Sequence, residues 1–361
     1  MAVSKKLKGI YFAIFEKPET ITANLISKIK ERRCLNKNID KSFKLTKEQK
    51  KQIKDFWKPY CRVSTKWAQY YSAKNGQFDP RYLPNDLYFT KIDQHFNSRK
   101  LGYGFNDKNY YSLIFPNVLQ PNVLVRKIGC LIYSKDYEMI DIDAAMKIIK
   151  GENEVIVKPT QETGSGRGIS FLKTNEFENE IRSLLLNDNE QNYVIQSIVC
   201  QHEQLAAIYP KALNTIRVTT LMMEDGVHIL SAILRMGSGN SRVDNASSGG
   251  ISVGINSDGY LNDYAHVLYS GNQIDRHPDG FIFKGFRVPE FDKIKEQVQR
   301  LAQYTGNFRL VSWDMTVDKD GNVILIEANM RKGGIAIHQF NNGPLFGDLT
   351  ERVLNEVFNV K

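Results

Sequence analysis

No apolar run in the 361 residues approaches the roughly 18 to 20 residues that cross a bilayer. The N-terminus, MAVSKKLKGIYFAIFEKPET, has one short apolar patch and no small-residue cleavage site, so the expected location is the cytoplasm. Cysteine is scarce. Cys34, Cys61, Cys130 and Cys200 stand far apart, without a CxxC pair or a Cys/His cluster, which argues against disulfides and against a thiolate zinc site. No internal repeat, low-complexity tract or aromatic-plus-basic RNA-binding motif is present, and no nucleic-acid partner is expected.

What is present is ordinary for a globular chain: 42% hydrophobic and 25% charged residues, over a length that suits two or three lobes. The charge is uneven. Residues 1–100 hold 23 Lys and Arg against 9 Asp and Glu, and with +9 for the whole chain the remainder is net acidic. A basic N-terminal region is either a solvated lysine-rich helical surface or a face for an anionic partner, including peripheral contact with anionic lipid.

In LTKEQKKQIKDFWKPY, Ile53, Phe56, Trp57 and Tyr60 fall at helical spacing, and Thr46 with Gln49 fits a capping box. TITANLISKIKERR has the same character through Leu25, Ile26 and Ile29. Residues 74–106 are rich in Gly, Pro, Asn, Asp and Tyr and read as irregular. Beyond them come short β-branched runs: VLVRKIGCLIY, EVIVKP, NYVIQSIV, NTIRVTTLMM, HILSAILRM, GISVGI and NVILIEANM. Turns at Glu224-Asp225-Gly226 and Lys319-Asp320-Gly321 predict hairpins, and helices are expected in DIDAAMKIIKG and FDKIKEQVQRLAQYTG. Hairpin-paired strands interleaved with helices give an α+β class.

Two stretches carry chemistry. In VIVKPTQETGSGRGIS, Lys158 ends an apolar strand and Gly164, Gly166 and Gly168 follow it. A Walker A loop needs the lysine after the glycines, and a GxGxxG fingerprint fails because Ile169 stands at its third glycine. A strand-borne lysine before a flexible loop remains, which by itself is equally a surface hairpin or a phosphate lid. In the hairpin VSWDMTV to VILIEAN, Glu327 and Asn329 point to one face and Asp314 can oppose them from the neighbouring strand. Two carboxylates and an amide oxygen suit Mg²⁺ held together with substrate phosphates; taken alone they are equally exposed polar positions near a hairpin end.

Together, and in this order, Lys108 in FNDKNYYSLIF, Lys158 in VIVKP, TGSGRGI, VIQSIVCQHE and SWDMTVDKDGNVILIEANM resemble the ATP-grasp superfamily over about residues 106–345. KALNTIRVTTLM, DNASSGGISVGI, NMRKGGIAIHQFNNGP and the basic region with YLPNDLYF resemble its sugar-transfer-associated branch, found with polysaccharide biosynthesis. The resemblance implies a helical basic N-terminal lobe (1–105), a small lid subdomain (106–200) and a large subdomain with the magnesium site (201–361), the last two clasping ATP. It puts Lys108 and Lys158 on the α- and β-phosphates, beneath a flap of Gly164, Ser165, Gly166, Arg167 and Gly168. Gln196 and the backbone from Ser197 to Val199 read adenine, Glu203 accepts from the ribose, and Asp314, Glu327 and Asn329 hold one or two Mg²⁺.

The reaction implied is transfer of the γ-phosphate to a carboxylate, giving an acylphosphate that an amine attacks, with small-molecule and sugar-linked substrates. Arg217 and Arg242 are the expected cations for it, with Asn214 at the same mouth and a closing loop at 242–250. Arg217 lies in an apolar strand, where an unpaired guanidinium is costly, so an anionic partner is expected, either substrate or a buried ion pair. One departure is Ser312, where related ligases often carry an arginine two residues before the first metal aspartate. Another is Arg331-Lys332-Gly333-Gly334 in place of a proline-glycine turn. A phosphotransferase acting on a hydroxyl is the alternative class, and a non-catalytic nucleotide-binding protein is the third.

Overall fold

The structure, a computed structural model, describes residues 18–161, 168–187, 191–244, 249–267, 270–331 and 333–360. They divide into two units, 1–96 with 343–361 and 97–342. Residues 343–361, grouped by sequence with the segment 201–361, thus belong with the N-terminal region.

The first unit is helical. Its helices include Pro18–Asn38, Lys47–Trp57, Thr65–Asn75 and Thr350–Phe358. The capping box at Thr46 forms as expected: Gln49 N–H donates to Thr46 Oγ1 at 3.1 Å, and Thr46 N–H donates to Gln49 Oε1 at 2.9 Å. Ile53 and Trp57 are buried one turn apart. Pro59 has no N–H to continue the ladder, so the regular helix ends at Trp57 and Tyr60 follows in a turn. The next helix is capped by Ser64, ends at Gly76 with φ of 75°, and buries Trp67, Ala68, Tyr70 and Tyr71.

Two expectations here need correction. Leu25, Ile26 and Ile29 form a helical stripe but stay 58%, 60% and 43% exposed, so spacing gave the helix and not its buried face. The stretch read as irregular is helical from Asn85 to Phe96, with one π-helical turn at Tyr88–Ile92. Pro84 reads as a breaker but sits at the helix start, where a missing N–H costs nothing, and Tyr88, Ile92 and Phe96 are buried at four-residue spacing.

The second unit holds two antiparallel sheets, confirming the α+β class. The smaller has β1 (Val123–Ile128), β2 (Leu131–Ser134), β3 (Glu154–Pro159), β4 (Ser170–Lys173) and β5 (Tyr193–Ser197) in the order β2-β1-β5-β3-β4. VLVRKIGCLIY, expected as one strand, folds back as the β1–β2 hairpin because Gly129 takes φ of 61°. β3 alternates strictly: Val155 and Val157 enter a core with Ala145, Met146 and Ile149 of the helix Ile142–Ile149, leaving Glu154, Ile156 and Lys158 on the opposite face.

The larger sheet runs β10-β9-β8-β7-β6-β11-β12. Its strands are β6 (Thr215–Met223), β7 (Gly226–Met236), β8 (Ile251–Ile255), β9 (Leu261–Val267), β10 (Gln273–Ile274), β11 (Leu310–Val317) and β12 (Val323–Asn329). Both predicted hairpins form, β6–β7 and β11–β12. The helix Phe291–Ala302 lays Phe291, Ile294, Val298 and Leu301 on one face of this sheet, in a core with Ile216, Val218, Trp313 and Met315. The other face of β6 and β11 is therefore available for polar groups.

Thr46→Ala removes an acceptor from the first turn of Lys47–Trp57 and is expected to lower stability by about 1 kcal/mol, while Thr46→Ser keeps most of it. Urea unfolding followed by circular dichroism measures this, and an unchanged midpoint for Thr46→Ala would show that the capping box adds nothing.

Candidate active site

Three antiparallel strands bring one row of charge together on the face of the large sheet opposite the helix Phe291–Ala302. Asp314 on β11 pairs in register with Arg217 on β6 and Glu327 on β12. Side chains directly opposite in such a pair share a face, so the row Arg217–Asp314–Glu327 follows from register. Arg217 Nε and Nη2 each donate to one Asp314 oxygen at 2.5 Å, a bidentate fork. Arg235 on β7 adds a bond from Nη1 to Asp314 at 3.2 Å and reaches Asp244 at 3.4 Å, and the Thr215 hydroxyl also donates to Asp244.

Glu327 accepts from Lys108 Nζ at 2.7 Å. Lys108 opens a one-turn 3₁₀ segment, Lys108–Tyr110, capped by Asp107, and its own N–H donates to Thr160 O at 3.2 Å, just beyond β3. The two nucleotide lysines expected from sequence thus meet the same carboxylate region: Lys158 feels Lys108, Glu327 and Asp244. Asn329 follows two residues after Glu327, and its buried Nδ2 has no hydrogen-bond partner among the described residues.

The titration behaviour follows from this packing. Burial opposes the charge on Asp314, but Arg217, with Arg235, outweighs it and holds the carboxyl below its usual range. Glu327 is likewise held low, against burial, by Lys108. Lys108 is raised because Glu327 outweighs its desolvation. Lys158 goes the other way, to about 8, through burial first and the neighbouring Lys108 ammonium second. Both carboxylates are therefore anionic at neutral pH while one of the two lysines titrates nearby.

A second polar chain lies on the same face. Thr219 Oγ1 shares hydrogen bonds with Ser312 Oγ at 2.9 Å and His338 Nε2 at 3.2 Å, and His338 Nδ1 meets Ser231 Oγ at 2.8 Å. Burial and then Arg217 press His338 down to about 3, so it is neutral and orients hydroxyls beneath the row. Sequence reading missed Arg235, Asp244, Thr215 and His338. The available signal was Arg235 ending the apolar run HILSAILRM, a cation in a strand just as Arg217 is.

The remaining expected residues divide by position. Arg242 does not join the row: it forms a bidentate pair with Glu154 at 2.6 and 2.8 Å and stacks over Phe171 at 4.0 Å, joining the β7–β8 loop to the small sheet. Asn214 is fully buried away from the row, its Nδ2 donating to Gln201, Leu205 O and Tyr209 O. Gln196 is buried on β5, while Ser197 Oγ bridges Asn122 and Glu152. Val199 is half-buried, and exposed Glu203 opens the short helix Glu203–Ala206. The intervening segment is fastened to the large sheet, with His202 N–H donating to Val317 O and Lys319 N–H to Cys200 O, both at 2.9 Å.

Gly168 has φ of 79° and approaches Pro159 so closely that a Cβ would stand 2.8 Å from its Cγ. Gly164, Ser165, Gly166 and Arg167 lie outside the described residues, as does Lys332.

Solved structures with a similar fold include an L-amino acid ligase from Bacillus licheniformis, at 16% identity and a TM-score of 0.39, covering 70% of this chain and 47% of that one. D-cycloserine synthetase DcsG gives 14% and 0.40, over 69% and 70% of the two chains. The ATP-grasp ligase PsnB, solved with a phosphomimetic variant of its minimal precursor, Mg and ADP, gives 14% and 0.44, over 73% and 61%. The chain thus spans about half of the amino-acid ligase and somewhat under two thirds of PsnB. Comparison with curated protein sequences finds no match. The family model for sugar-transfer associated ATP-grasp proteins matches residues 89–355, three quarters of the chain, and the protein belongs to that family.

Proposed function

We propose that the protein is an ATP- and Mg²⁺-dependent ligase that activates a carboxylate as an acylphosphate and joins it to an amine, acting on a sugar acid or an amino acid in cell-surface polysaccharide synthesis. The observation that carries this reading is the in-register row Arg217–Asp314–Glu327 with Lys108 and Lys158 beside it. ATP comes with the family. Mg²⁺ is supported by the donor chemistry: two carboxylates held anionic, Asp314 and Glu327, with the amide of Asn329 two residues further along β12. Asp314, Glu327 and Asn329 would hold the ion, which would supply positive charge to offset that developing on the phosphoryl group during transfer.

The protein's own groups then have distinct tasks. Lys108 and Lys158 would hold phosphate oxygens as point charges. Arg217, fixed through Nε and Nη2 by Asp314, presents Nη1 to an anionic oxygen of the substrate or the migrating phosphoryl group. Arg235 keeps Asp314 oriented from the other side. The β7–β8 loop, anchored through Arg242 to Glu154, would keep water from the acylphosphate.

Incubation with ATP, Mg²⁺ and a panel of sugar acids, amino acids and amines, followed by mass spectrometry, tests the reading. An amide with ADP release is expected, whereas a stable phosphorylated alcohol as the sole product would replace the ligase with a phosphotransferase. Glu327→Gln keeps the shape of the side chain but removes its charge, and should lower turnover by at least about a hundredfold; activity near that of the unaltered protein would remove Glu327 from the metal site.

A pH dependence follows from Lys158. Its ammonium is mostly present at pH 7 and mostly lost at pH 9, because its midpoint is pushed down to about 8. ATP affinity should therefore fall by about tenfold between these values. Lys158→Arg, which stays charged, should flatten the profile; a flat profile for the unaltered protein in fluorescent-nucleotide titrations would exclude Lys158 from phosphate binding.

A further inference from the structure

Arg126, on β1, is 2% exposed, yet its guanidinium forms no ion pair among the described residues. Burial is the largest influence on it and lowers its pKa against the pull of Asp107 and Asp136. A buried charge without a counter-charge opposes folding. Here three contacts offset the cost: Nη1 donates to Asn109 O at 2.7 Å, Nη2 donates to Ser112 Oγ at 3.1 Å, and the guanidinium lies over the Tyr137 ring, 4.5 Å from its centroid. An apolar side chain would avoid that cost altogether, so what the arginine brings to this position is its contacts.

Tyr137 reaches the same acceptor. It has φ of 64°, a backbone conformation that side chains other than glycine rarely adopt, and its hydroxyl donates to Asn109 O at 2.6 Å and lies 2.8 Å from Ser112 Oγ. Asn109 O thus accepts two bonds, one of them from a cation, and Asn109 Nδ2 adds a bond to Lys127 O on β1 at 3.3 Å. The other side of this turn belongs to the large sheet. Lys108 Nζ donates to Glu327 at 2.7 Å, and the Tyr111 hydroxyl exchanges bonds with Ala328 N–H and O, both at 3.2 Å. The spacing accounts for the division: residues three apart share one side of a helical turn, so Lys108 and Tyr111 meet β12 while Asn109 and Ser112 meet the small sheet.

We propose that Arg126 and Tyr137 are positioning residues for the Lys108 ammonium: by gripping Asn109 O from the small sheet, they hold the Lys108–Tyr110 turn so that Lys108 reaches both Glu327 and the phosphate oxygens of ATP. The inference rests on the reading of Lys108 as a phosphate ligand. Without the grip the turn keeps its Asp107 cap and the bond from Lys108 N–H to Thr160 O, so what is lost is the aim of Lys108 and not the fold.

Full-length protein and its variants are titrated with a fluorescent ATP analogue and Mg²⁺, and the urea midpoint of each is measured alongside. Tyr137→Phe keeps the ring over Arg126 and removes one donor to Asn109 O, so ATP affinity should fall about threefold, whereas Arg126→Met removes the charged donor and should lower it by about tenfold. Arg126→Lys retains the charge without the planar fork and should fall between them. In a Lys108→Gln background, itself weakened, Tyr137→Phe should weaken binding no further, because the group it aims is gone. Unchanged ATP affinity in both Tyr137→Phe and Arg126→Met, whatever their midpoints, would show a purely structural role and overturn the proposal. An equal loss from Tyr137→Phe with and without Lys108 would overturn it too, by showing action through another group. Lys108→Gln binding ATP as the unaltered protein does would remove Lys108 from phosphate binding, and the inference falls with that reading. Should Arg126→Met fail to fold, Tyr137→Phe alone decides between these results.

Discussion

Asp314 is a carboxylate one strand in from the edge of a sheet, on a strand buried along its whole length, and an ion so placed is stable only if it is answered. Desolvation of such a group costs several kcal/mol, and removing one partner of a buried pair costs about 3–5 kcal/mol. Arg217 answers it through two bonds from the adjacent strand, and Arg235 adds a third from the strand beyond. The order β7-β6-β11-β12 is thus also a charge order. A one-residue slip of β6 against β11 would send Arg217 into the apolar core and leave Asp314 alone. Register and electrostatics therefore enforce each other.

The same constraint explains why Lys108 and Lys158 behave oppositely although they lie close together. Lys108 is locked to Glu327, so its charge is stabilised and its proton held tightly. Lys158 projects from the face of β3 opposite the small-sheet core, half-buried and next to that already satisfied cation. It is the less stable charge of the two. The segment after β5, fastened through His202 to Val317 and through Cys200 to Lys319, and the Arg242–Glu154 pair link the two sheets at separate places.

Much of the architecture was legible because its signals are local. EVIVKP alternates with a period of two and is β3 with the expected bounds; the Thr46 capping box and the Lys319-Asp320-Gly321 turn are single-site chemistry. The failures were also local signals, but ones whose meaning depends on surroundings. Gly129 within VLVRKIGCLIY looks like a tolerated glycine until its left-handed backbone turns the chain, and Pro84 looks like a breaker until it stands at a helix start. Leu25, Ile26 and Ile29 have helical spacing, yet spacing does not supply something to pack against.

For the candidate site, the sequence by itself determined the family, the α+β class, and that Asp314 and Glu327 can share a face, since alternation along a strand is a property of the chain. Which arginine meets Asp314, that Arg235, Asp244 and His338 belong to the same neighbourhood, and that Arg242 and Asn214 point elsewhere were decided only by tertiary structure. These depend on strand register and on loops meeting across long sequence separations. The basic excess of residues 1–100 was countable from composition, but that five of its cations, Arg32, Lys54, Lys58, Arg62 and Lys66, line one cavity was not. Composition fixes the total charge, whereas helix packing fixes the distances between charges, and the energy of each charge depends on those distances.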